Sequence, residues 1–89
     1  SKYFSPAFSP DGGKIIAVHI PPLQENSLHV LDTATGAVQQ VIALPGNPFL
    51  TRPVWHHKNA IICIARQNHQ MTFVQINLND SSHITLMPW

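Results

Sequence analysis

Eighty-nine residues, 10% of them charged and 44% hydrophobic, at a formal net charge of +1, make at most one small domain and argue against a solvated, disordered tail. The five cations, Lys2, Lys14, Arg52, Lys58 and Arg66, are scattered, so no clustered basic face is offered to a nucleic-acid backbone. No stretch approaches the roughly 18 apolar residues of a membrane span, and Ser1-Lys2-Tyr3-Phe4 leads into a turn-rich segment rather than a signal peptide.

Eight Pro and four Gly interrupt the chain at short intervals, and apolar residues alternate instead of recurring at helical spacing. The pattern predicts eight short strands and no helix. In chain order they are Pro6 to Ser9, Lys14 to Ile20, Leu28 to Thr33, Val38 to Leu44, Pro53 to His56, Ala60 to Arg66, Met71 to Leu78 and His83 to Met87. Lys2-Tyr3-Phe4 fits equally part of a strand from a preceding unit or a frayed end. Ser9-Pro10-Asp11-Gly12 fits a type I turn, with Pro10 setting φ at its second position, and Gly13 can absorb a bulge or a left-handed residue. Asp32 to Gly36 is a second tight connection with Gly36 at the positive-φ site. Asn79-Asp80-Ser81-Ser82 does the same work without glycine, because Asn and Asp tolerate the left-handed region. Pro21 to Asn26 and Leu44 to Phe49 are longer breaks.

The second of those breaks divides two similar halves, residues 1–44 and 45–89. Phe8 matches Trp55, Ile15-Ile16-Ala17-Val18 matches Ile61-Ile62-Cys63-Ile64, and Leu28 to Asp32 matches Phe73 to Asn77, at an offset of about 45–47 residues. Four strands per unit at a period of roughly 40–50 residues is the signature of propeller blades. The expected architecture is therefore all-β, two consecutive four-stranded antiparallel blades of a β-propeller. In such a stack Phe8 and Trp55 wedge between neighbouring blades, and either one, if fully buried, costs about 3–5 kcal/mol when cut back to alanine. Two blades alone leave apolar faces and strand edges bare, so further blades of a parent chain or self-association are expected.

The run Pro6-Ala7-Phe8-Ser9-Pro10-Asp11-Gly12-Gly13-Lys14, followed by an apolar strand, resembles the Pro-Asp-type propeller repeat of TolB and of related periplasmic and peptidase-associated propellers. Leu28 to Gly36, with Asp32 before a turn closed by Gly36, is similar to the next element of that repeat. The second half departs from it: His56-His57-Lys58-Asn59 stands for Ser-Pro-Asp-Gly, and Asn77 for the aspartate. The resemblance implies a non-catalytic scaffold that binds a protein or ligand; it favours a periplasmic setting and leaves a cytoplasmic one open. The alternatives it leaves open are the accessory propeller of a serine peptidase and a propeller fused to a sensory regulator. Loops on a rigid scaffold usually carry binding, which singles out Pro22 and Gln24 in one loop and Asn47 and Phe49 in the other.

Catalytic chemistry finds no footing. No Gly-x-Ser-x-Gly elbow is present, and the carboxylates Asp11, Glu25, Asp32 and Asp80 all fall in turns or loops, where Asp11 and Asp32 are expected to accept backbone N–H bonds. The six histidines include His19 and His29 on neighbouring strands and the adjacent pair His56-His57, but nothing is spaced to complete a metal site. No cofactor is expected. The single Cys63 lies in an apolar run and reads as a small core residue.

Overall fold

The structure, a computed structural model, describes residues 2–20 and 26–86. These form eight strands: β1 (Lys2–Phe8), β2 (Lys14–Ile20), β3 (Ser27–Asp32), β4 (Val38–Ile42), β5 (Phe49–His57), β6 (Ala60–Gln67), β7 (Gln70–Asn77) and β8 (His83–Thr85). They build two four-stranded antiparallel sheets, in the orders β1-β2-β3-β4 and β5-β6-β7-β8, and no helix is present among the described residues. The segment Lys2-Tyr3-Phe4 is part of β1. The eighth strand ends at Thr85, and Met87, placed in it from sequence, lies outside the described residues, as do Pro22 and Gln24.

Both first strands run further toward the N-terminus than the sequence suggests, and the reason is a bulge before each proline. The pairing of β1 with β2 shifts between Phe4 and Ala7, and that of β5 with β6 between Thr51 and Val54. Ser5 and Arg52, each followed by a proline, take the left-handed region at φ 51° in both cases. A bulge is one of the few places where a strand tolerates proline, because the residue without an N–H falls outside the ladder. The strands therefore continue past Pro6 and Pro53 rather than starting there.

The two sheets repeat each other in register. Phe8 pairs with Ile15 as Trp55 does with Ile61; Ile15 pairs with Leu31 as Ile61 does with Ile76; Lys14 pairs with Asp32 as Ala60 does with Asn77. The bonds that close the turns repeat as well. Thr33 N–H donates to the Gly13 carbonyl at 3.1 Å, and Leu78 N–H to that of Asn59 at 2.8 Å. Asp32 Oδ1 accepts from Ala34 N–H, and Asn77 Oδ1 from Asn79 N–H, both at 2.8 Å. Asparagine thus does the aspartate's work, since an amide oxygen accepts as a carboxylate oxygen does.

Details of the turns differ from expectation. The Ser9 carbonyl accepts from Gly12 N–H at 2.9 Å, but it is Gly12, not Gly13, that is left-handed, at φ 75°. The Gly13 N–H points instead to Asp11 Oδ1 at 2.9 Å. Gly36 is left-handed at φ 74°, and in the last turn the residue with positive φ is Ser81, while Asp80 Oδ1 holds Ser82 through both its N–H and its hydroxyl. Between β6 and β7, Asn68 and His69 are both left-handed, the backbone a two-residue turn needs to match strand twist.

The sheets stack face to face, with β5 lying against β1, β2 and β3. One face of the first sheet supplies Ile16, Val18, Leu28, Val30 and Ile42; one face of the second supplies Leu50, Ile61, Cys63, Ala65, Val74 and Ile76. Polar groups clip the layers together. Trp55 Nε1 donates to the Ala7 carbonyl at 2.9 Å, Gln40 Nε2 to that of Leu78 at 3.1 Å, and the Asn26 amide bonds both the N–H and the C=O of Leu50. Cys63 is 1% exposed, and burial pushes its thiol up to about 12, so native chain should resist a thiol reagent that labels the denatured chain at once. Rapid labelling of the folded protein at neutral pH would contradict this placement.

The contact between the sheets is head-to-tail. Side chains alternate across a strand, so the face that carries Ile16 and Val18 corresponds, repeat for repeat, to the face that carries Ile62 and Ile64. In the first sheet that face is inside the stack; in the second it is outside. A two-fold sandwich would bring corresponding faces together. Here the first sheet offers its front to the back of the second.

Candidate functional site

The reversals of the two sheets sort to two ends. Turns 9–13, 33–37, 58–59 and 79–82 lie at one end with Asp11, Asp32 and Asp80. Connections 43–48 and 68–69 lie at the other. At the first end the carboxylates hold turns. The Gly13 N–H, then the Ser9 hydroxyl, keeps Asp11 below its ordinary range, and the Ser82 hydroxyl and N–H do so for Asp80. Ser9 itself is buried, donating to Asp11 Oδ1 at 2.8 Å and accepting from Lys14 N–H at 3.0 Å. Asp32 Oδ1 takes a second backbone bond, from Thr35 N–H at 3.0 Å. Oxygens engaged in this way serve the turn, and no two of these carboxylates share a site.

The opposite end is more open. Asn47 is exposed and left-handed at φ 52°, following Gly46, and its N–H donates to the Leu44 carbonyl at 3.0 Å. Gln67 Nε2 donates to the Gly46 carbonyl at 2.9 Å, tying the connection between the sheets to the tip of β6. Phe49 lies under the Arg66 guanidinium, whose carbon is 5.7 Å from the ring centroid. A cleft of about 510 Å³ runs along Arg66, Gln67, Asn68, His69 and Met71. Of the binding residues expected from sequence, Asn47 and Phe49 are therefore brought together with Arg66 and Gln67, which the sequence reading did not single out. Gln67 has no sequence signal of its own; Arg66 and Phe49 are joined by their direct pairing across β5 and β6.

Four of the six histidines settle into two pairs. His19 and His29 stack at 4.1 Å between centroids and 18° between planes, because His29 pairs with Ala17 and so lies diagonally across from His19 on the same face. Tyr3, directly opposite His19, brings its hydroxyl to 2.8 Å from His29 Nδ1. With that nitrogen unprotonated, the phenol O–H donates to it. His19 Nδ1 is buried without a hydrogen-bond partner among the described residues. His56 and His57 are tilted neighbours at 5.3 Å, and His57 Nδ1 accepts from Asn59 N–H at 3.1 Å, the role Asp11 plays for Gly13. Among the described residues no group of three His, Cys, Asp or Glu side chains is placed to hold a metal ion.

Burial, and then the neighbouring His19, lowers the His29 pKa below 6.5. The unfolded chain then takes up a proton that the folded chain resists. The stability His29 supplies is whole above about 6.5 and is lost as pH falls through its lower folded value. Urea midpoints at pH 7.5 and 5.5 should accordingly drop further for the unaltered chain than for His29→Gln; equal drops would remove His29 as the cause.

Trp55 and Phe8 diverge. Trp55 is half-buried between the sheets, but Phe8 is 64% exposed, contrary to its expected burial. The cause is the head-to-tail order: Phe8 projects from the back of the first sheet, against which no sheet of the described residues is packed. Tyr3, Val38 and Val41 lie on the same face, and Val54, Phe73 and Ile84 are exposed on the front of the second sheet. The described residues thus present two uncovered apolar faces, and an open loop end that carries Asn47, Phe49, Arg66 and Gln67. No protein-family model and no curated protein matches the chain.

Proposed function

We propose that the two sheets are consecutive blades of a β-propeller and that the chain is a non-catalytic scaffold segment that binds a protein partner at its loop end. The observation that carries this reading is the head-to-tail stacking of two units that share register, bulge and turn bonds. Propellers are built by radial repetition of such four-stranded units, front to back, around a central channel. The same order explains why a chain with so little charge leaves apolar surface uncovered on both sides.

Binding at the loop end rests on Asn47, Phe49, Arg66 and Gln67. An aromatic ring, a guanidinium stacked on it and adaptable amides are residue types well suited to recognising a protein surface, where aromatics and arginine are enriched. The carboxylates of the described residues stand at the far end, so the loop end favours a partner that presents an acidic group to Arg66. The similarity of Pro6 to Lys14 to the TolB repeat agrees with such a role.

The coding sequence on both sides of these residues tests the propeller reading. Further units with Pro, an aromatic two residues on and an apolar strand, at a spacing of about 45–47 residues, are expected. A flanking α/β-hydrolase segment with a nucleophile elbow would move the function to an enzyme's accessory propeller; flanks without any such repeat, together with a chain that stays monomeric in solution, would overturn the reading. A photo-reactive side chain at Asn47 should cross-link the partner, and Arg66→Glu should weaken that yield at least several-fold.

A further inference from the structure

We propose that the front of the second sheet receives the back of the first sheet of a second copy of this chain, repeating between molecules the contact already made within one. The proposal rests on the equivalence of the two units argued above, and it names what covers their bare faces.

The internal contact supplies the template. Its front half is built on Ile16 and Val18, and the corresponding Ile62 and Ile64 lie on the outer face of the second sheet, flanked by the exposed Val54 and Phe73. Its back half is built on Trp55 and Ile61, and the corresponding Phe8 and Ile15 lie on the outer face of the first sheet. One free face occupies the front place of the repeat and the other the back place, with Gln75 where Val30 stands and His19 and His29 where Ala65 and Val74 stand. Val54 stands where Ala7 stands, and it is the Ala7 carbonyl that accepts the Trp55 indole N–H.

Charge does not oppose the fit. Among the described residues the front face carries two formal charges, Arg52 and Arg66, both positive and both beside Ile64, and the back face carries no Lys, Arg, Asp or Glu side chain. A front-to-back contact between copies is heterologous, so it closes into a ring or continues as a filament instead of stopping at a dimer. An unrelated partner would meet one face alone and would give no reason for the other.

Mixing two blocked variants distinguishes these cases. Phe8→Asp spoils the back of the first sheet and Phe73→Asp the front of the second; both residues are exposed, so the core is untouched. Sedimentation equilibrium should show the unaltered chain associating with concentration and each variant alone as a monomer. The equimolar mixture should show a complex of twice the monomer mass, since each variant retains the face the other lacks. A mixture that stays monomeric, or single variants that assemble as the unaltered chain does, would overturn the proposal. Circular dichroism checks that each variant is folded; if one is not, Val38→Lys and Met71→Lys on the same two faces replace the pair. Failure of the mixture beside flanking repeats in the coding sequence would sink the second copy and leave the propeller reading intact.

Discussion

Trp55→Ala is expected to cost about 3 kcal/mol of unfolding free energy, and Phe8→Ala no more than about 0.5 kcal/mol, although the two residues occupy the same place in their repeats. Trp55 loses packing between the sheets and the bond from its indole N–H to the Ala7 carbonyl, leaving that oxygen without its partner. Phe8 loses contacts on a face that water already reaches. Urea unfolding of the monomer measures both, and equal losses would mean that the back of the first sheet is covered. In an assembled state Phe8→Ala should become costly as well, because the residue would then take up the burial that Trp55 has within the chain.

Ile61→Ala should cost about 2–5 kcal/mol, and Ile15→Ala distinctly less. Ile61 is 0% exposed, pairs with Trp55 on one side and Ile76 on the other, and faces the first sheet. Truncation there leaves a cavity that two rigid sheets cannot close, so the loss exceeds the transfer term alone. Ile15 has the same cross-strand neighbours by position, Phe8 and Leu31, but lies on the outward face and is half-buried. Against a total of about 5–15 kcal/mol for a small domain, the larger figure removes much of the stability. Denaturant midpoints that fell equally for the two variants would contradict the face assignment.

Much of this was legible from residue order. Alternation and turn chemistry place β2 at Lys14–Ile20 without error and β3, β6 and β7 within about a residue of their ends. The match of Phe8 to Trp55, Ile15 to Ile61 and Asp32 to Asn77 has its counterpart in the strand pairings of the two sheets. What was missed has a physical cause in each case. Pro6 and Pro53 look like strand starts because proline cannot donate to a ladder, but a bulge lets the chain carry it, and nothing in Ser5-Pro6 or Arg52-Pro53 announces a bulge. The left-handed site fell on Gly12 because Asp11 uses the Gly13 N–H. Phe8 could not be separated from Trp55, since a strand apolar on both faces does not say which face a neighbour covers. Arg66 and Gln67 join Asn47 and Phe49 only once the ends of β5 and β6 are side by side, a proximity that sequence distance hides.

Every strand in each sheet pairs only with its immediate neighbours along the chain, and this has a kinetic consequence. Hairpin pairing of this sort closes small loops and so carries a modest entropy cost, whereas the contact of β5 with β1 must bring together segments half the chain apart. Zipping of the individual sheets should thus precede their docking on the folding pathway. Truncations at the seam, Trp55→Ala among them, would then act chiefly by hastening unfolding and would barely slow the refolding limb of a chevron plot.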